Sequence, residues 1–434
     1  MKRKQFWRGT RINAAAACLA VAAAGSVAVH AQSADNDKLS KLEQQNQELL
    51  KRLSALESMA AKEGLLPSGP DAAKPVSAMS SISLSGFVTS SYFHDSSEPK
   101  SGTSPGYLWN RRNDSFSINK VKLTLASPGV ERSGDKFDVG FRSSLIFGQD
   151  APIVNSGSST GIAGKTAAVP GFDGLREAFV EINLPIGTGL TVKAGELISL
   201  LNYESGDGGA ANNNFSQGFQ WFFTGNGPAA GIELGYTLTD WADVKFRVQN
   251  GLYAGPVDNN SSKTFIGAID LKPMDKVWVN LLAFGGREDS FVQSLWGASV
   301  LGGWQATEKL GFGTELDYFN FYNPAGVTPS GHSDVWSTGL WANYDFTKQV
   351  GLAVRGEFLS DSKGVDMSGG ALGFLNAPGT GQDITSVALT LNYKPLPNIK
   401  IQPEIRFDHT SWSGGFVPGK QDRVIFGAGA SYLF

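Results

Sequence analysis

The sequence predicts an all-β fold, an antiparallel transmembrane β-barrel of about 16 strands, preceded by a short N-terminal coiled-coil helix. Three observations predict it. From residue 81 onward, apolar and polar residues alternate with a period of two. The connections between alternating segments are short and long by turns, the asymmetry of a barrel whose turns lie on one side of a membrane. The last strand reads Val424-x-Phe426-x-Ala428-x-Ala430-x-Tyr432-x-Phe434, with aromatic residues at the final two positions of one face.

Composition narrows the class. A chain of 434 residues would suit two or three soluble domains, yet it holds 53 Gly and only 18% charged residues, against roughly 25% in an average soluble protein. The net charge is −3, and residues 1–31 contribute Lys2, Arg3, Lys4, Arg8 and Arg11 with no acid. The remainder is therefore acidic, and nucleic acid is not an expected partner.

Residues 1–31 read as a signal peptide. A basic stretch from Lys2 to Arg11 precedes an Ala-rich apolar run, and Val29-His30-Ala31 fits a small-x-small cleavage site. Cys18 lies inside this leader. It has Ala15 three residues before it and the apolar run continues past it, which argues against lipid attachment. The mature chain would then have neither a disulfide nor a thiol nucleophile. After residue 31 no apolar run reaches the roughly 18 residues of a membrane helix. A closed barrel is the other structure that satisfies its backbone in lipid.

Residues 32–63 read as a periplasmic coiled coil. Leu39, Leu42, Asn46, Leu49, Leu53 and Leu56 recur at spacings of three and four, the a and d positions of heptads. At ~1.5 Å per residue the seam is about 33 Å long, marginal for an isolated coil. Asn46 at an a position trades stability for register. Residues 64–80 form a Pro/Gly/Ser linker, and the barrel occupies 81–434.

Within the barrel, strands are expected at 82–93, 115–126, 136–148, 174–184, 189–199, 229–238, 241–252, 264–272, 276–286, 293–305, 309–320, 334–345, 349–360, 382–394, 398–410 and 422–434. Alternation is clearest where Phe137, Val139, Phe141, Leu145 and Phe147 oppose Asp138, Gly140, Arg142 and Ser144. A soluble sandwich alternates too. The aromatic residues at strand ends (Trp241, Tyr318, Tyr322, Trp336, Tyr344, Phe346, Tyr432) separate the two, because a girdle at the membrane interfaces requires them there.

The region from 81 to 434 resembles the outer-membrane β-barrel porin families, the OmpL-like group in particular. The carrying segments are Leu84-Ser-Gly-Phe-Val-Thr-Ser-Ser-Tyr92, Arg176-Glu-Ala-Phe-Val-Glu-Ile-Asn-Leu-Pro185, Gly189-Leu-Thr-Val-Lys-Ala-Gly195, Asn202-Tyr-Glu204 and Gln249-Asn-Gly251. The C-terminal strand is similar to the assembly signal of outer-membrane proteins, carried here by Tyr432 and Phe434. A coil leading into a barrel also resembles sugar- and phosphate-selective porins. The resemblance implies passive diffusion of small hydrophilic solutes or ions across the bacterial outer membrane. It implies contact with lipid and the barrel-assembly machinery, and a homo-oligomer with the trimer favoured. The alternatives are an anion- or sugar-selective channel, or a structural barrel tethering periplasmic partners.

Alternation assigns Lys120, Lys122, Arg142, Lys193, Lys245, Arg247, Glu315, Asp317, Arg355, Glu357, Glu404 and Arg406 to the pore lining. The two signs balance, which predicts weak ion selectivity, although Lys120, Lys122, Arg142 and Lys193 would form a local basic arc. The longest loop, residues 200–228, is the third on its side and is expected to fold inward as a constriction, with Glu204 and Asp207 facing that arc. No catalytic residue, metal site or cofactor is expected. The mature chain holds only His94, His332 and His409, and no HExxH, CxxC or G-x-S-x-G pattern. Asp408-His409-Thr410-Ser411 sets an acid, a base and a hydroxyl side by side, but neighbouring strand residues point to opposite faces.

Overall fold

In the computed structural model the described residues are 44–45, 47–48, 51–52, 81–106, 109–154, 174–225, 227–252, 258, 260–288, 292–324, 331–365 and 379–434. The chain divides into two units, Lys2–Ile82 and Ser83–Phe434. In the first, residues 44–45, 47–48, 51–52 and 81 are helical, with an exposed Arg52–Glu48 pair at 3.4 Å one turn apart. The leader, the linker and the heptad positions Leu39, Leu42, Asn46, Leu49, Leu53 and Leu56 lie outside the described residues.

The second unit is a closed antiparallel barrel of sixteen strands. They are β1 Ser83–Asp95, β2 Ser117–Ala126, β3 Asp138–Phe147, β4 Leu175–Leu184, β5 Leu190–Leu197, β6 Ala229–Thr239, β7 Ala242–Gln249 and β8 Thr264–Met274. Then follow β9 Val277–Glu288, β10 Val292–Gln305, β11 Leu310–Pro324, β12 His332–Asp345, β13 Val350–Asp361, β14 Gln382–Leu396, β15 Ile399–Thr410 and β16 Asp422–Leu433. Each strand pairs with its sequence neighbour, and β1 pairs with β16 from Phe87↔Leu433 to Asp95↔Ile425. Gly86 N–H donates to Phe434 O at 2.9 Å and Phe434 N–H donates to Gly86 O at 3.0 Å, so no sheet edge remains there.

Every expected strand is present, with ends displaced by a few residues. The largest extension is the β11–β12 hairpin, which pairs out to Tyr322↔His332. Side chains hold it together beyond the expected end. Tyr318 Oη and Asn320 Nδ2 donate to Asp334 Oδ1 at 2.6 and 2.8 Å, and the Tyr322 and His332 rings meet at 4.8 Å.

Burial decides between membrane barrel and soluble sandwich. Along β15, Lys400, Gln402, Glu404, Arg406 and Asp408 are buried, whereas Ile405 and Phe407 are exposed. The same inversion runs round the barrel: Phe141, Val180, Leu234, Ile269, Leu281, Leu316, Leu340, Val354, Leu389 and Phe426 all face outward and exposed. Each large apolar side chain placed in water forfeits about 1.5–3 kcal/mol of burial energy, so a soluble chain could not carry this surface. Lipid removes that cost. Aromatic rings cluster at both rims of the apolar belt. Trp304–Phe312 and Tyr344–Phe346 lie at the short-turn end, and Trp296–Tyr318–Trp336 at the long-loop end.

Candidate transport path

The connection between β5 and β6 does not stay outside. Its residues 200–225 cross into the barrel and pack along an arc of wall from β9 through β16 and β1 to β2. Five buried carboxylates on or facing the loop fasten it. Glu204 accepts from Arg355 Nη1 at 2.9 Å, Trp341 Nε1 at 3.2 Å and Gly218 N–H at 2.7 Å. Glu357 caps the short helix α1 (Phe219–Phe223), accepting from Phe219 N–H and Gln220 N–H at 3.3 and 3.0 Å. Asp317 accepts from Gln220 Nε2 and Thr224 Oγ1, both at 2.8 Å. Glu404 accepts from Phe215 N–H at 2.8 Å and from the Ser216 hydroxyl. Lys400 donates to the Gly209 and Asn212 carbonyls, and Tyr203 N–H donates to Glu315 Oε2 at 3.0 Å.

Two apolar clusters complete the seal. Phe215, Phe219 and Phe223 of the loop pack with Phe93, Leu359, Ile384, Phe416 and Ile425, and Leu201 packs with Leu282, Phe284, Phe319 and Phe321. Arg406 and Arg423 lie over the Phe219 and Phe416 rings at 4.4 and 3.9 Å.

All twelve residues expected to line the pore project into the barrel, but they divide sharply. Lys120, Lys122, Arg247, Glu315, Asp317, Arg355, Glu357, Glu404 and Arg406 are buried. The side chains of Arg142, Lys193 and Lys245 keep 37%, 30% and 26% of their accessible surface. Water therefore reaches the inward face at β3, β5 and β7.

The basic arc does not stand alone, because each member is matched by an acid. Lys120 meets Asp150 at 3.3 Å, Lys122 meets Asp207 at 2.8 Å, Arg142 meets Glu177 at 2.7 Å, and Lys193 meets Glu181 at 3.6 Å and Glu233 at 4.0 Å. Lys245 pairs with Asp270 and Arg247 with Glu233, both at 2.5 Å. Asp207 does face the arc. Glu204 does not: it faces Arg355 on the opposite wall, where the guanidinium, fully buried, needs an anion. Burial pushes the Asp207 carboxyl up, but Lys122, helped by Arg176 and Lys120, holds it below its usual value. At Asp150 burial wins, and the carboxyl is raised despite Lys120.

Three features escaped the sequence. The first is Arg132, in the connection between β2 and β3. It reaches across the short-turn mouth to Thr237 and Asp243, at 2.8 and 2.9 Å. The length of that connection was the only signal. The second is the interior apolar surface of β9, where Leu282 and Phe284 point inward. The third is an aromatic row. Directly opposed positions run Trp278↔Gly303↔Gly313↔Trp341 across four strands. Tyr203 of the loop enters the gap, stacking on Trp341 at 4.4 Å and on Trp278 at 5.9 Å. A Cβ at Gly313 would lie 2.1 Å from the Tyr203 ring, and one at Gly303 would lie 2.2 Å from the Trp278 indole, so these two positions admit only glycine as built.

The Asp408-His409-Ser411 string is dispersed. Asp408 is buried inside the barrel against Arg406 and Arg423, at 2.5 and 2.9 Å. His409 points away to Asp422 at 2.7 Å, and the Ser411 hydroxyl accepts from Asp383 N–H at 2.8 Å. No acid–base–nucleophile relay forms from these three.

Comparison with known proteins agrees with this architecture. The family model described as "Putative beta-barrel porin-2, OmpL-like" matches residues 81–434. No curated protein matches the chain significantly. Among solved structures, the outer membrane channel DcaP of Acinetobacter baumannii aligns with a TM-score of 0.51 and 13% identity, covering 81% of this chain and 97% of its own. OprB of Pseudomonas putida aligns with a TM-score of 0.53 and 10% identity, covering 82% and 94%. The anion-selective porin from Comamonas acidovorans aligns at 0.51 and 10%, covering 82% and 99%. At such identities the likeness is one of fold. The family match spans the whole barrel, and the barrel itself is lipid-facing outside and polar within; the chain belongs to the putative beta-barrel porin-2, OmpL-like family and is a β-barrel of the bacterial outer membrane.

Proposed function

We propose that this protein is a diffusion porin whose water-filled path runs between the inward loop and the wall formed by β3–β8. The observation that carries the reading is the accessible surface kept by Arg142, Lys193 and Lys245 inside a barrel whose outer face is apolar. Charges that are wetted, paired and of both signs keep a pore hydrated without strongly favouring one ion. Glu204 and Asp207 act as two anchors of the constriction loop. Glu204 fastens it to the sealed wall, and Asp207 brings it to Lys122.

Planar-bilayer recording of the purified protein tests the reading. Stepwise conductance with a modest reversal potential in a salt gradient is expected, and a barrel that inserts without conducting would end it. No catalytic role is assigned. The N-terminal heptads suit a homo-oligomer, for which the trimer is favoured, and one relative in fold, OmpT of Vibrio cholerae, is described in a trimer form. Cross-linking of the membrane-embedded protein with and without residues 32–63 checks that assembly. Tyr432 and Phe434, both exposed on the outer face, act as the contact for the barrel-assembly machinery. Phe434→Ala is expected to lower the amount of inserted barrel.

A further inference from the structure

We infer that Tyr203 and Trp278, with Lys245, Asp270 and Asn280 beside them, form a subsite for uncharged carbohydrate in the transport path. The inference rests on the porin reading above and names the solute class that the same path retains. Tyr203 and Trp278 are only half-buried, and their rings lie within 11° of parallel. Trp341 closes the inner end of the row and is buried. The Tyr203 and Trp278 rings both rest against the apolar cluster around Leu201 and Leu282, but Trp278 is only half-buried and makes the looser stacking contact.

Polar groups continue along the same inward face. Asn280 follows Trp278 by two positions, so both side chains project into the barrel from β9. Asn280 is directly opposite Asp270, which holds Lys245 at 2.5 Å. Asn280 Oδ1, a buried atom, has no hydrogen-bond partner among the described residues. An ammonium has three donors and a carboxylate about four acceptor sites, so the Lys245–Asp270 pair retains capacity for hydroxyl groups. Because the pair is already neutralised, it calls for no counter-ion.

A pyranose meets both demands at once. Its C–H face packs on an aromatic ring and its hydroxyl rim needs donors and acceptors at the ring edge. Free inorganic ions have no use for the rings. Flexible polyethers have no rigid face to lay on them.

The test is sugar-dependent reduction of ion current through single channels of the full chain, with sucrose and raffinose as probes. Poly(ethylene glycol) of similar hydrodynamic size is the control. Concentration-dependent block by the sugars, with half-blocking concentrations well below that of the polymer, is expected. Trp278→Ala should raise the half-blocking concentration about tenfold, the loss of one ring face, while Trp278→Phe restores much of it. Lys245→Gln with Asp270→Asn should weaken block less and leave reversal potential little changed. Wild-type channels that conduct but are blocked equally by sugar and polymer would overturn the subsite and leave the porin reading intact. Block unchanged in Trp278→Ala would also overturn it, assigning the rings to loop anchoring alone. Absence of conductance would remove the porin reading and the subsite together.

Discussion

The two halves of the barrel interior are built from the same alternating strands and end in opposite states. From β11 round to β2 the inward charges are sealed beneath the loop, and Arg355 retains none of its surface. On β3, β5 and β7 the half-buried Arg142, Lys193 and Lys245 of similar ion pairs stay wet, although Arg247 and Glu233 among them are buried. Strand chemistry therefore does not decide which inward charge meets solvent. One connection, residues 200–225, decides it by covering half the wall. Inward polarity is a property of the barrel, whereas being a pore surface is a property of where the loop is not.

Removing the loop should erase the contrast. Deleting 205–218 is expected to raise single-channel conductance severalfold, because the sealed wall becomes wet; unchanged conductance would show that the loop does not narrow the path. Arg355→Ala should come next. It strands Glu204 and Glu357 as buried carboxylates, and breaking a buried pair costs about 3–5 kcal/mol. A lowered midpoint in heat-induced loss of the folded band on gels, with larger and noisier currents, would report it. The paired experiment, Lys193→Gln on the wet wall, should cost no more than about 1 kcal/mol, as exposed pairs do. Equal losses at the two positions would abolish the distinction.

Gly313→Leu sharpens the comparison sterically. Its side chain would strike the Tyr203 ring, and overpacking of this kind costs about 1–3 kcal/mol. Conductance should rise as the loop lifts from the wall, and Gly267, where an added Cβ meets nothing within 4 Å, gives a neutral control.

The smallest effect concerns pH at the Lys122–Asp207 tie. The folded carboxyl titrates below its usual value, so its contribution to stability is complete above the unfolded value of about 3.9 and fades only as pH falls through the lower folded value. Current through the wild type should therefore be steady from pH 7 to pH 5, and Asp207→Asn should give at both pH values the noise that wild type shows only in strong acid.

How much of this could be read from sequence follows from which face a residue occupies. The outer face always meets hydrocarbon, so Phe137, Val139 and Phe141, or Ile405 and Phe407, announce their strands unaided. The inner face meets water in one place and a folded loop in another. In β9, Leu282 and Phe284 point inward against Leu201, and the alternation that marked other strands is lost from Val277 to Phe284. Lys122 and Asp207, on the same side, could be anticipated from sign alone. The partnership of Glu204 with Arg355 could not, since it joins residues 151 positions apart through the loop's path across the interior. Tyr203 and Trp278 gave no separate signal either, because the space for them is made by glycines on two other strands.

The seam between β1 and β16 carries a consequence for biogenesis. Thr89 and Ser431, hydrogen-bonded across it, are 342 positions apart. Rejoining such distant points is entropically the slowest step, so the cylinder can snap shut only after the last ribbon has arrived. Until then both margins are unpaired and adhesive toward other chains. A polypeptide of this design must be escorted through the periplasm open and delivered whole, and any ribosomal stall or clipping before the final ribbon would yield a product that can never be latched.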